Sequence, residues 1–223
     1  MDYIESNLLK YKEELDKFPA AKLLAVSKTK SSEFIKKAYS LGQRDFGENK
    51  VQELVLKSNE LKECCPDIRW HFIGSLQSNK INGLLGVKHL VSIHSIDSIK
   101  LLNKLIQKSS DRKLGLFLQV NTSGEIEKSG FNTDDEVLEA IKQMEKLSGF
   151  YLQGLMTIGK IRTENFNEEA KICFNRVSEL KQRIDSSQGL NLELSMGMSS
   201  DYKIALDYKS NWIRIGSGIF GKR

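Results

Sequence analysis

The sequence predicts a closed barrel of eight parallel strands alternating with helices, a (β/α)8 or TIM barrel, preceded by one extra N-terminal helix. Three observations carry this prediction. Eight short β-type runs alternate with helical stretches and few hairpin signals lie between them, which implies parallel pairing through right-handed crossovers. The runs recur at roughly 20 to 35 residues, the spacing of βα units. A chain of 223 residues has room for one substantial core, at the small end of the range for such barrels. An open, doubly wound sheet is the alternative. No internal repeat or composition shift marks a boundary, so residues 1–223 are read as one domain.

The elements follow in order. A helix over Tyr3–Phe18 precedes the first strand, the apolar Lys22–Lys28 (KLLAVSK). Ser32–Leu41 is amphipathic, with Phe34, Ile35, Ala38 and Leu41 near helical period, and Gly42 stops it. Arg44–Asn49 is the second strand and a helix starts at Lys50. Arg69–Gly74 (RWHFIG) is the third strand, and Leu90–Ile93 a weaker fourth before a helix over Ser98–Lys108. Leu114–Asn121 (LGLFLQVN) is the clearest strand, and Thr133–Leu147 a strong helix opened by a Thr or Asp cap. Tyr151–Thr157 is the sixth strand, followed by a long helix over Asn167–Ile184. Glu193–Gly197 and Trp212–Gly216 are the last strands, separated by a helix over Asp201–Tyr208.

Composition excludes several classes. No apolar run approaches the roughly 18 to 20 residues of a membrane-spanning helix. The acidic start, Met1-Asp2-Tyr3-Ile4-Glu5, lacks the form of a signal or transit peptide. A net charge of +5 is spread among interleaved acids, so it does not read as a nucleic-acid binding patch, and it suits a small anionic ligand. Three cysteines, two of them the adjacent Cys64 and Cys65, cannot make a disulfide framework. Cys173 reads as a buried small hydrophobe. His71, His89 and His94 lack zinc-site spacing. A cytosolic, metal-free protein is expected, as a monomer, since no amphipathic surface stands out.

Two motif matches carry nothing. Gly216–Gly221 fits G-x-G-x-x-G, but only Lys222 and Arg223 lie beyond it, leaving no room for a following helix or a ribose-binding acid. Ser27–Lys30 and Ser178–Lys181 both fit S-x-x-K without its companion motifs.

Lys28 is more informative. Strand period places Leu24, Val26 and Lys28 on one face. The C-terminal end of a barrel strand is where sites are built. Partial desolvation there favours the neutral amine that a Schiff-base lysine requires, although from this residue alone a snorkelling lysine at a strand end is the better reading. Near the end of the chain, Ser199 and Ser200 stand at a helix start, able to cap it and to present hydroxyls and N–H groups to an anion. Arg214-Ile215-Gly216-Ser217 ends the last strand with a glycine that lets backbone approach a phosphate. Loops after strands seven and eight are the recurrent phosphate site of this barrel class, and strand eight closes on strand one. Lysine and phosphate together suggest pyridoxal 5'-phosphate (PLP), with Arg214 in reach of the pyridine nitrogen.

At this point the chain resembles a known family, the PLP homeostasis proteins, also called the proline synthetase co-transcribed family. The matching segments are Leu24–Lys30 (LAVSKTK), Phe46–Asn49 (FGEN) with Gln52-Glu53, Trp70–Gly74 (WHFIG), and Leu76–Lys80 (LQSNK). Gln119–Asn121, Lys128–Gly130, Gly154–Ile158 (GLMTI), Leu194–Met198 (LSMGM) with Ser199 and Asp201, Ile213–Gly216 (IRIG) and Ile219–Gly221 complete the set. They run in order along nearly the whole chain. Ser217-Gly218 departs slightly, where the family commonly carries Thr or Ser followed by Ala.

The resemblance implies a barrel like the N-terminal domain of alanine racemase, with PLP bound as an imine on Lys28. It implies Asn49 near the ring or linkage, with helix capping as its alternative role, and Met156 facing the cofactor, with core packing as its alternative. Ser199, Ser200, Gly216 and Ser217 would hold the phosphate and Arg214 the ring nitrogen. It assigns His71 no role. The implied function is a non-catalytic carrier that regulates PLP supply, with PLP-dependent apoenzymes as partners. The rival is a PLP-dependent racemase or decarboxylase. Racemases of the related fold complete their site with a second domain, which this sequence is expected to lack.

Overall fold

The computed structural model describes residues 2–108, 113–125, 129–146, 148–160 and 163–221. Lys128 of the resemblance segment and Leu147, the expected end of the sixth-strand approach helix, lie outside them. The strands are β1 (Lys22–Val26), β2 (Asp45–Glu48), β3 (Arg69–Phe72), β4 (Leu90–Ile96), β5 (Leu114–Gln119), β6 (Phe150–Met156), β7 (Glu193–Ser195) and β8 (Trp212–Ile215). All adjacent pairs are parallel, and β8 pairs with β1 to close the barrel. The expected architecture is therefore the observed one, and the open sheet is excluded.

The helices are α1 (Tyr3–Leu15), α2 (Ser32–Ser40), α3 (Val51–Leu61), α4 (Ile81–Leu85), α5 (Ile99–Ile106), α6 (Asp134–Met144), α7 (Phe166–Gln188), α8 (Tyr202–Asp207) and α9 (Ser217–Phe220). Their starts follow local chemistry. Asp2 accepts from the Ile4 N–H, Ser98 caps α5, and Thr133 with Glu136 forms a reciprocal capping box on α6. The outer core lies between strands and helices and is mainly apolar, with Ser27, Glu48 and Lys57 buried within it. Helix α1 is the extra element. Its Asn7 Nδ2 donates to the Ile219 carbonyl at 3.1 Å, so the first helix holds the last.

Three features depart from the sequence reading. A 3-10 turn (Ser78–Lys80) and α4 fill a stretch to which the sequence reading assigns no element, and α9 forms one turn from the Gly216–Gly221 match. Helices of four or five residues are too short to display a periodic pattern. Strand β4 runs on to Ile96, past the expected Ile93. Its inward residues Ser92 and His94 are polar, so the apolar signal breaks off early.

That inner surface has two parts. Leu24, Phe117, Met156 and Trp212 form a small apolar cluster inside the barrel, joined by Ile73 and Ile158. Beside it runs a file of buried polar side chains: Asp45, His71, Ser92, His94, Ser195 and Arg214.

Candidate functional site

The strand-face argument holds at β1. Leu24 belongs to the inner cluster, while Val26 and Lys28 line a cavity of about 400 Å³ at the C-terminal mouth. The strand itself stops at Val26, so Lys28 sits in the turn that follows. Thr29 takes a left-handed conformation there (φ 65°), and the Lys30 N–H returns to the Ser27 carbonyl at 3.0 Å.

A buried brace holds that turn from behind. Ser27 Oγ donates to Glu48 Oε1 at 2.6 Å. Lys57 Nζ, from α3, donates to the same oxygen at 2.7 Å and to the Ser27 carbonyl at 2.9 Å. Burial pushes the Glu48 carboxyl up, and the Lys57 charge opposes that shift. The Thr29 N–H donates to Glu53 Oε2 at 3.1 Å. Alternation does this work: Ser27 faces the helices, so Lys28 faces the cavity.

Opposite, β7 leaves through Gly197, whose φ of +92° and close contact with α8 exclude a side chain. Met198 N–H donates to Asp201 Oδ1 at 2.5 Å, which fixes the Met198–Asp201 turn. Ser199 and Ser200 do not cap α8, contrary to expectation: Asp201 is the residue before the helix, and no side chain caps it. The serines lie in the turn ahead and line the cavity. Ser199 Oγ accepts weakly from the Gly218 N–H at 3.4 Å and lies 3.5 Å from Ser217 Oγ. The two loops expected to hold an anion are thus in contact. A Cβ on Gly216 would press on the Val26 carbonyl at 3.3 Å, so a larger residue there would crowd β1.

Arg214 enters the cavity from inside the barrel. Nη1 donates to the Ser195 carbonyl at 2.6 Å and to Ser195 Oγ at 2.9 Å, and Nη2 donates to the Thr157 carbonyl at 2.9 Å. It is 5% exposed, and among the described residues it makes no ion pair. Burial lowers its pKa to about 10, partly offset by the charge of Asp201, so the guanidinium stays a cation at neutral pH.

Lys28, Ser199, Ser200, Arg214, Gly216 and Ser217 therefore share one cavity. Two expected members do not line it. Met156 is packed in the inner cluster. Asn49 does not cap α3, because Lys50 holds that position and no side-chain cap forms. Its Oδ1 is buried without a partner, and its backbone occupies the space that a Cβ on Gly74 would need. Ile73, Met198 and Lys30 also line the cavity, and the sequence reading did not place them there. Both lysines lie past the strand end and both are half-buried, because the left-handed turn at Thr29 folds Lys30 back. The Lys30 ammonium lies over the Phe34 ring at 5.6 Å.

This geometry can be set beside known proteins. The model of the alanine racemase N-terminal domain family matches residues 1–223. The Schizosaccharomyces pombe pyridoxal phosphate homeostasis protein is 43% identical over 90% of this chain and 84% of its own. The human protein of the same name is 38% identical over 91% of this chain and 76% of its own. Among solved structures, PipY of Synechococcus elongatus PCC7942 with PLP bound superposes at a TM-score of 0.86 with 34% identity, covering 98% of this chain and all of PipY. Alanine racemase from E. faecalis shares the fold at a TM-score of 0.74, with 20% identity over 58% of its length.

Proposed function

The chain belongs to the pyridoxal phosphate homeostasis proteins, within the alanine racemase N-terminal domain family, and from that membership we propose that it carries PLP on Lys28 and buffers its supply. One observation carries the reading: a single cavity gathers an amine, a buried cation and paired serine hydroxyls from strands at opposite ends of the sequence. At about 400 Å³ it is of small-ligand size. Ser199, Ser200, Ser217 and the backbone at Gly216 suit a phosphate, and Lys28 Nζ suits a Schiff base. The buried Asn49 Oδ1 has no hydrogen-bond partner, and the Asn49 backbone abuts Gly74, next in sequence to the cavity-lining Ile73. Met156 supports the floor through its cluster with Ile73, which lines the cavity.

When bound, PLP supplies an electron sink that depends on a protonated ring nitrogen. Arg214 can only donate hydrogen bonds, so facing that nitrogen it favours the unprotonated pyridine. That weakens the electron sink without deciding between carrier and racemase; the names of the relatives are what favour a carrier. Exposed large apolar residues such as Leu56, Tyr151 and Ile172 are scattered over separate elements, in keeping with a monomer. Among the described residues no helix is long and apolar enough to cross a membrane. Cys64, Cys65 and Cys173 are unpaired, in keeping with a cytoplasmic protein that passes PLP to apoenzymes.

The test is a visible spectrum of the purified protein before and after borohydride reduction. A Schiff-base band that reduction removes, with no amino-acid turnover, is expected. A colourless protein that takes up no PLP would end the reading, and steady racemisation or decarboxylation would replace carrier with enzyme.

A further inference from the structure

The buried file inside the barrel links the cavity to the opposite mouth through hydrogen bonds at every step. Arg214 Nη1 meets Ser195 Oγ at 2.9 Å, and Ser195 Oγ meets His94 Nδ1 at 2.8 Å. His94 Nε2 meets Ser92 Oγ at 2.8 Å, and Ser92 Oγ meets His71 Nδ1 at 2.7 Å. His71 Nε2 meets Asp45 Oδ1 at 3.0 Å. Asp45 in turn receives Arg69 Nε and Nη2 at 2.7 and 2.6 Å, in a cleft at the N-terminal mouth. His71, Ser92, His94 and Ser195 are each at most 1% exposed.

His94 Nε2 also lies 3.2 Å from His71 Nδ1, so its N–H can reach that acceptor directly as well as through Ser92, and the two ends fix which ring nitrogens carry the protons. Arginine has no acceptor and an ionised carboxylate has no donor. Asp45 must therefore receive Nε2–H of His71, which makes Nδ1 of a neutral His71 an acceptor. The Ser92 hydroxyl donates to that Nδ1 and accepts Nε2–H of His94. Nδ1 of His94 then accepts the Ser195 hydroxyl, and the Ser195 oxygen accepts from Arg214. The opposite tautomer of His94 would strand two buried groups at once: the Ser195 hydroxyl hydrogen, and either His71 Nδ1 or His94 Nε2, since Ser92 has a single hydrogen for both. Such orphaned groups are costly in a barrel interior. Burial keeps both imidazoles neutral. The charged groups acting on the file are Asp45, Arg69 and Lys22 around His71, and Arg214, itself beside Asp201, next to His94.

We propose that Asp45, His71, Ser92, His94 and Ser195 form a one-way hydrogen-bond relay that positions Arg214 at the cofactor cavity from the far mouth of the barrel. The positioning role rests on the PLP reading above, while the polarity of the relay does not. With its hydrogen committed to His94, Ser195 can only turn a lone pair toward Arg214. The guanidinium is thereby held with its remaining donors toward the cavity, and His94 and His71 act through it as positioning residues without touching ligand.

Two measurements decide this. Nitrogen-15 NMR of the imidazoles in the wild-type protein at neutral pH, with no cofactor added, should show His71 and His94 both neutral and protonated on Nε2. An Nδ1–H tautomer or an imidazolium at either position overturns the relay whatever the protein binds. In PLP-loaded protein, His94→Phe should shift the absorbance maximum of the bound cofactor and weaken binding about tenfold, the scale of one hydrogen bond to a charged group. His94→Gln, which can both accept and donate, should restore most of both. An unmoved band and affinity in His94→Phe, or a Gln variant no better than Phe, would reduce His94 to packing. A wild type that binds no PLP would refute the cofactor reading and the positioning role with it, while the tautomers still report on the relay.

Discussion

At the N-terminal mouth Arg69 lies fork-to-fork on Asp45 and Lys22 pairs with Glu193 at 2.8 Å, so both of these cations have an anion. At the C-terminal mouth Lys28, Lys30 and Arg214 line a cavity whose described lining holds no carboxylate. Both mouths are made from the ends of the same strands, so the difference lies in side-chain choice and not in the fold. A mouth with neutralised charge is a seal. A mouth where three cationic side chains and serine hydroxyls converge on one cavity is a place for an anion. Arg214 is fixed by its bonds to the Ser195 and Thr157 carbonyls, and the turn that carries Ser199 and Ser200 by the Met198 N–H donating to Asp201.

Four experiments strain this contrast, in descending order of effect. Lys28→Ala should remove covalent attachment altogether. After borohydride reduction of the wild type the added mass should fall on the peptide containing Lys28, and a label on Lys30 would refute the strand-face argument. Lys57→Met should then cost roughly 3 to 5 kcal/mol in denaturant unfolding, because Glu48 would be left buried without its countercharge. A loss under about 1 kcal/mol would show that the brace behind Lys28 is dispensable.

Replacing Ser199 and Ser200 together by Ala should weaken PLP more than unphosphorylated pyridoxal. Each lost bond to a charged group is worth roughly 1.5 to 3 kcal/mol, and backbone donors would remain. Equal losses for the two ligands would remove these serines from the phosphate site. The smallest effect belongs to the sealed mouth. Burial raises the Asp45 carboxyl, but hydrogen bonds from Arg69 and His71 overcome it and hold its pKa at about 2, against 3.8 for the ordinary group. A depressed carboxyl stabilises the fold above its unfolded pKa, so this contribution is present above about pH 4 and lost as the pH falls toward 2. Asp45→Asn should remove roughly 2 kcal/mol of that acid dependence. An unchanged acid profile would mean that the pair at this mouth is not felt in stability.

The sequence made the open mouth legible and the interior opaque. Lys28, Arg214 and the two serine loops could be placed because parallel alternation puts strand ends at one rim and the last strand beside the first. The capping role given to Ser199 and Ser200 was wrong because Asp201 occupies the position next to α8 and bonds back to Met198 instead. Asn49 and Met156 came from resemblance, and neither lines the cavity. His71 and His94 left no usable signal: a polar inward face breaks the apolar alternation by which a strand is recognised, which also truncated β4. Their partners on β2, β4 and β7 come together only in three dimensions.

The contact between Asn7 and Ile219 bears on how the molecule is made. Lys28 leaves the ribosome well before Arg214 and Ser217, which follow it by most of the barrel. Until β8 docks between β7 and β1, the cavity has an amine and no cradle. Pairings this distant in sequence form late and slowly. A nascent or partly degraded chain therefore cannot hold what the finished one holds, and occupancy of the cavity reports that the barrel has closed.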